Sequence, residues 1–458
     1  MRILILLYTI GQEWINIFDF LLAPIYLGIV FALAVFVRNR NIKRKPYYKY
    51  FVPAITCKLI GGLGVCFVYT YYYKSGGDAT NYFLSAKTYV NVLQDFNFEL
   101  FFKMLNFYEN SNNLIGFDYN TYGPINFSVT DYYALLTVVL TVPFCLLGMQ
   151  SFLATTILLA GASFVGLWKL YEVFVDQFPQ LAKQFAIAIF FIPSVFFWGS
   201  GLLKDTYTLS ALGAVTYAVY KYLILKERKV KYLVLLILSS AMLVLIKPYI
   251  FFAILPGSLT WISFNRLTKI KNALIRTLAV PFVLFTMAAL GTFTLEYLGD
   301  YLGEYKLDNI LKKAVKTQQD LVRSEQYGSN NFNIGAYEAT VGGVASKIPV
   351  AINMALFRPY LWDARNPVML LSGLETFFML GFSIYIILKI RITTLFRSLF
   401  SHPLLIFSFL FALFFAFSVG LTTANYGALV RLKIPCIPFY LCSLFILFHL
   451  NKESFRRR

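Results

Sequence analysis

Apolar residues run in long unbroken stretches along this chain, and polar residues gather between them. The stretches do not alternate with period two, so they predict helices and not the strands of a barrel. Eleven such spans are legible, at 17–37, 51–71, 152–170, 182–198, 207–225, 232–246, 250–264, 277–295, 368–388, 404–421 and 434–448. About 20 residues carry a straight helix across a bilayer core. Several spans are shorter, so they need a few flanking residues to complete a crossing.

Composition supports the same solvent. Hydrophobic residues make up 59% of the chain and charged residues 14%, with mean hydropathy +0.65. Soluble domains carry about 25% charged residues, and a soluble chain this apolar does not cover its own surface. In lipid every backbone polar group must be satisfied internally, which leaves helices. The expected fold class is therefore an all-α polytopic integral membrane protein. Phe (47) and Tyr (32) are abundant, as suits membrane interfaces.

Net charge is +19, but nucleic acid is excluded as a partner, because the basic residues sit in short loops between apolar spans. There they set topology. Arg38, Arg40, Lys43, Arg44, Lys45 and Lys49 place the linker after the first span in the cytoplasm and the N-terminus outside. The apolar stretch 133–147 contains Pro143. If it crosses, the clusters Lys226–Lys231 and Arg266–Lys271 and the tail Arg456, Arg457 and Arg458 all fall outside. If it dips in or lies along the interface, they fall inside. The second arrangement keeps positive charge inside and is the one adopted: eleven spans, C-terminus cytoplasmic, in a bacterial-type inner membrane. The first ten residues are apolar, but no small-residue cleavage site follows them.

The chain then divides into two N-terminal spans (1–71), an outer loop with interfacial or re-entrant helices (72–148), central membrane helices (149–295), a second outer loop (296–366) and C-terminal membrane helices (367–458). Long loops in compact proteins are usually functional or disordered, and both of these lie on one side. The segment 92–108 mixes aromatic residues with Asp95, Glu99 and Lys103 and suits a helix in the interface. The polar run Tyr327, Gly328, Ser329, Asn330 and Asn331 marks the second loop.

Candidate chemistry gathers at the outer ends of the spans. Ser75-Gly76-Gly77-Asp78 follows the second span. Two glycines allow a turn that other residues resist, which aims Asp78 at the membrane surface as a general base or metal ligand, or leaves it as a helix cap. Gly199-Ser200-Gly201-Leu202-Leu203-Lys204-Asp205-Thr206 links two later spans. Lys204, Lys247, Arg358, Arg365, Arg431 and Lys433 are outer cations that run against the topological trend. An anionic partner suits them: phosphate oxygens, lipid headgroups, or Asp205 and Asp363. Glu375 lies within a span, where exposure to lipid costs ~2–3 kcal/mol or more. It lines a cavity or forms a buried pair. Lys58, also within a span, lies nearer the cytoplasmic end and is expected to snorkel. His402 and His449 fall on the cytoplasmic side, so an outer base must be a carboxylate. Cys57, Cys66, Cys145, Cys436 and Cys442 lie in apolar runs without metal-ligand spacing. No P-loop or dinucleotide fingerprint is present.

Asp78-Ala79-Thr80-Asn81-Tyr82-Phe83-Leu84-Ser85-Ala86 resembles the first outer loop of the GT-C glycosyltransferases, membrane enzymes that use polyprenyl-phosphate-linked sugars. Pro193 to Asp205 resembles their later motif, a Pro-containing span that ends in a loop with an acidic residue. Tyr71-Tyr72-Tyr73 with Gly76-Gly77-Asp78, Arg358-Pro359-Tyr360-Leu361-Trp362 and Asn425-Tyr426-Gly427 with Arg431 resemble envelope-polysaccharide membrane proteins of Bacteroidetes type. The resemblance implies a GT-C-like fold and a glycosyltransferase or polysaccharide polymerase with Asp78 as the catalytic carboxylate. It also implies a lipid-linked sugar donor, a glycan, lipid or protein acceptor, and a divalent cation as an open question. Where the family often has two adjacent acids, only Asp78 stands here. On the residues alone, Lys204, Asp205, Lys247, Arg358, Arg431 and Lys433 are candidates for holding the phosphate. A transporter or flippase of lipid-linked oligosaccharide is the competing reading, with Glu375 as its intramembrane site, and a non-catalytic envelope scaffold is a third.

Overall fold

The computed structural model describes residues 14–73, 76–105, 118–125, 132–267, 331–365, 367–390 and 392–456, with a few isolated positions between 312 and 319. The expected span 277–295, most of the second outer loop and the run Tyr327 to Asn330 lie outside the described residues. Among the described residues the chain is helical and has no strand. One isolated antiparallel bridge joins Asn331 to Asn425.

Among the described residues, five helices are long and apolar enough to cross a membrane: Ile17–Asn41, Pro46–Tyr72, Phe152–Gln177, Met369–Lys389 and Pro403–Thr422. A sixth span is formed if the pair Tyr426–Leu432 and Cys436–Asn451, bent by 65°, counts as one. Shorter apolar helices cover Tyr133–Leu147, Val230–Ile246, Pro248–Phe264 and Ile348–Phe357. The expectation of a helical protein with membrane-crossing helices thus has its coarse form in the structure.

Two expected spans differ in detail. The stretch 182–198 is split into Ala182–Phe190 and Pro193–Trp198. Proline lacks an N–H and clashes with the preceding turn, so the helix stops before Pro193 and restarts on it. The stretch 207–225 begins earlier, at Lys204, and after Ala218 widens into a π-helical segment, Val219–Ile224.

By internal contacts the chain forms two compact units. The first comprises Met1–Val173, Val195–Ala218 and Val230–Pro248, and the second Phe174–Ser194, Val219–Lys229 and Tyr249–Arg458.

In the first unit, Asn16 caps the Ile17–Asn41 helix. Its side-chain oxygen accepts from the Phe18 and Asp19 N–H groups, while Asp19 accepts from the Asn16 N–H at 2.9 Å. The other Asp19 oxygen accepts from the Ser151 hydroxyl at 2.6 Å and the Leu153 N–H at 3.1 Å. One buried carboxylate therefore serves two helix starts. Glu172 does comparable work near the basic linker, accepting from Lys45, Lys169 and the Tyr48 hydroxyl at 3.2, 2.6 and 3.2 Å. The Tyr132–Leu147 helix lies along Asp78–Gln94 and buries Ala134, Val138, Val142 and Cys145. That spacing puts the four on one helical face.

The second unit is built on Pro403–Thr422, which packs against Ile348–Phe357 on one side and Cys436–Arg456 on another. Its core stacks Phe407, Phe411 and Phe439, with Phe411 and Phe439 edge to face at 4.6 Å. Gly420 lies against the Ala351 backbone so closely that a Cβ there would stand 1.9 Å from the Ala351 carbonyl oxygen. Small residues let helix backbones approach in this way, and in lipid such packing drives association.

Candidate functional site

Asp78, Lys204, Asp205 and Lys247 belong to the first unit, and Arg358, Glu375, Arg431 and Lys433 to the second. Each group is described within its own unit.

Asp78 opens the helix Asp78–Gln94 as its first residue, with Gly77 at the cap position. Gly76 is left-handed at φ +74°, a conformation that favours glycine. A Cβ on Gly76 would stand 2.7 Å from the Thr80 hydroxyl oxygen, and one on Gly77 would stand 2.8 Å from the Tyr69 ring. Thr80 closes the turn: its hydroxyl accepts from the Gly77 N–H and donates to the Gly77 carbonyl, both at 2.9 Å. The capping bond belongs to Thr80, and Asp78 is held partly exposed in the first turn. A carboxylate is stabilised there by the positive end of the helix. The buried face behind it carries Ala79, Tyr82, Phe83, Ala86 and Tyr89, and Tyr89 donates to the Met104 carbonyl at 2.8 Å.

Asp205 and Lys247 form an ion pair 2.6 Å apart, with side-chain exposures of 1% and 9%. Lys247 is thus the counter-ion of Asp205, the pairing that competes with phosphate for this lysine. Lys204, one residue earlier, is only partly buried. The turn before it is fixed by Thr206, whose hydroxyl donates to the Gly201 carbonyl at 2.6 Å. It is also fixed by Lys58, whose ammonium donates to the Gly199 carbonyl at 2.5 Å. Lys58 is 3% exposed. Snorkelling, expected from its place in the span, is corrected here: a backbone carbonyl lies within reach, so the ammonium turns inward.

In the second unit the loop after Ile348–Phe357 carries Arg358. Its Nη1 donates to the Tyr426 hydroxyl at 2.7 Å, and its Nε stands 3.7 Å from an Asp363 oxygen without a hydrogen-bond partner. Burial works against the guanidinium charge, but the Tyr426 hydroxyl and the Asp363 carboxylate outweigh it and hold Arg358 more firmly protonated than usual. Lys433 is fully buried and donates to the Arg358 carbonyl at 2.8 Å. It braces the loop that presents Arg358. Glu375 accepts from Ser194 twice, from the N–H at 3.0 Å and the hydroxyl at 2.6 Å. Both contacts come from one neutral residue, and they leave the Glu375 side chain buried and hydrogen-bonded. Arg431 is partly exposed in the last turn of Tyr426–Leu432, and Arg365 is exposed. Asn425 caps that helix through the Ala428 N–H, and its amide donates to Asn331.

His402 packs on the Phe178 ring at 4.6 Å, and burial pushes its imidazole down to about 4. His449 meets the Gln180 amide at 2.9 Å. All five cysteines are free thiols. Among the described residues no three His, Cys, Asp or Glu side chains come together as a metal-ligand group.

Sequence reasoning passed over Asp19 and Glu172, gave Ser194 no role, and set Lys58 aside. Three of these are ionisable groups at or within apolar helices, which is itself the signal for an internal partner. Ser194 carries no such signal. Compared with family models, curated proteins and solved structures, the chain matches none.

Proposed function

We propose that this chain is a GT-C-like membrane glycosyltransferase, with eleven crossings and the N-terminus outside, that takes a sugar from a polyprenyl-phosphate donor at the outer face. The observation that carries the reading is the Asp78 turn. A left-handed Gly76, a Gly77 that leaves no room for a side chain and a Thr80 clasp hold a partly exposed carboxylate where an apolar helix ends.

In the proposed reaction Asp78 accepts the proton of an acceptor hydroxyl as its oxygen attacks the anomeric carbon of the donor. The anomeric C–O bond to phosphate breaks, and the polyprenyl phosphate leaves with the bonding pair. General-base help of this kind contributes typically 10²–10⁴-fold. Lys204 stabilises the charge that develops on the leaving phosphate. The Asp205–Lys247 pair positions the helix start that carries Lys204. Arg358 and Arg431 are assigned no step.

The test is transfer of labelled sugar from a short-chain polyprenyl-phosphate sugar by purified protein in nanodiscs. Asp78→Asn is expected to lower transfer at least about 10²-fold while keeping the melting transition of the native protein. Undiminished product from Asp78→Asn removes the role assigned to it.

A further inference from the structure

Trp362 is 75% exposed, yet the loop that carries it is held at several points. Three contacts fix the backbone just before it, and a fourth fixes the Tyr360 side chain. The Tyr360 N–H donates to Asp363 at 2.9 Å, and the Thr376 hydroxyl donates to the Pro359 carbonyl at 2.5 Å. Lys433 holds the Arg358 carbonyl, and the Tyr360 hydroxyl meets the Asn353 amide, 3.0 Å from its nitrogen. The Tyr360 and Trp362 rings lie 4.8 Å apart with planes tilted by 31°, and the Arg358 guanidinium sits over the Tyr360 ring at 4.9 Å.

We infer that Trp362, backed by the Tyr360 ring and through it by Arg358, presents a preorganised indole face to a pyranose ring of an oligosaccharide. An aromatic face is electronegative, and the axial C–H groups on one face of a pyranose carry partial positive charge, so the two stack. Most of the ordering cost of such a contact is already met by the folded loop, which is how a rigid aromatic anchor gains affinity. Hydroxyls around the sugar rim need donors and acceptors. Asp363, partly exposed, and Arg365, exposed, lie beside the rings in sequence and supply both.

A tryptophan that only marks the depth of a bilayer is the competing explanation. Two features favour the sugar. A belt residue needs no fixed ring plane, whereas this pair is held by its neighbours. The Leu361–Asp363 turn is also followed, after Ala364, by exposed Arg365, a charge that is costly to place against hydrocarbon. The platform stands whether or not Asp78 transfers a sugar, because it requires binding and no chemistry.

The experiment is titration of full-length protein in phosphatidylglycerol–phosphatidylethanolamine nanodiscs with neutral tetrasaccharides of glucose, mannose and N-acetylglucosamine, read by tryptophan emission. A saturable change below about 10 mM is expected with at least one of them. Trp362→Ala should weaken it about tenfold or more and Trp362→Phe less, since a ring remains. Gly28→Ala, at a position with open space around its Cβ, should bind as the native protein does, and because no sugar donor is present this titration succeeds or fails independently of transfer. The inference is overturned if none of the sugars gives a saturable change, if Trp362→Ala binds equally well, or if brominated lipid quenches Trp362 and no sugar relieves it. The last outcome identifies a membrane anchor.

Discussion

Asp205 and Lys247 pair at 2.6 Å in a setting almost closed to solvent, although 42 positions separate them in the chain. Breaking a buried pair from one side is costlier than removing both partners, because it strands a charge. Lys247→Met is therefore expected to destabilise the protein by about 3–5 kcal/mol. The double variant Asp205→Asn with Lys247→Met should recover a substantial part of that loss. Melting of the native protein, Lys247→Met, Asp205→Asn and the double variant in one detergent gives the coupling. Additive losses would show that the pair contributes little to stability.

Gly76→Ala tests the turn that holds Asp78. A left-handed alanine costs roughly 1–2 kcal/mol, and the new methyl meets the Thr80 oxygen. Transfer activity is expected to fall while the acceptor hydroxyl and the Asp78 carboxylate stay chemically intact. Full activity in Gly76→Ala means that the turn does not aim the carboxylate.

Two glycines make a matched pair for packing. Gly420→Ala places a Cβ against the Ala351 carbonyl and is expected to unfold or severely destabilise the second unit, whereas Gly28 has nothing within 4 Å of its Cβ position. Gly28→Ala, in the middle of Ile17–Asn41, should be neutral or stabilising by up to about 1 kcal/mol. Equal melting of the two variants would contradict the close approach of the helices around Gly420.

Lys58→Met removes the donor to the Gly199 carbonyl. An unsatisfied buried acceptor costs about 1–3 kcal/mol, so a loss of that size is expected. A lysine that reached solvent would instead be replaced with little effect. Thermal melting at neutral pH distinguishes the two.

His402 is expected to make stability depend on pH. Its folded pKa, about 4, lies below the ordinary value near 6.5, so the neutral form is the one the fold accommodates. The unfolded chain binds the extra proton first as pH falls. Stability is then complete above about pH 6.5 and declines toward about pH 4. His402→Phe should flatten the melting temperature across that window, and an unchanged slope would assign the dependence to other groups.

Much of the candidate site was legible as residue types but not as partnerships. Gly76-Gly77-Asp78 read as a turn because glycine is needed where φ is positive, and the structure has such a turn. That Thr80 clasps it was not legible, since Ser, Thr, Asn and Asp compete for the same capping role. The outer cations read as a set in want of anions. Lys247 and Arg358 have theirs in Asp205 and Asp363, the two acids that sequence reasoning weighed against phosphate.

The sequence by itself determined the helical class and pointed to lipid as the solvent. Apolar runs of this length leave the backbone no partner but itself once water is gone, and that constraint is local. Which ionisable group meets which was decided only by tertiary structure. Lys433 braces Arg358 from 75 positions away and Ser194 holds Glu375 from 181, because helix crossings, not sequence spacing, bring those atoms within hydrogen-bond reach.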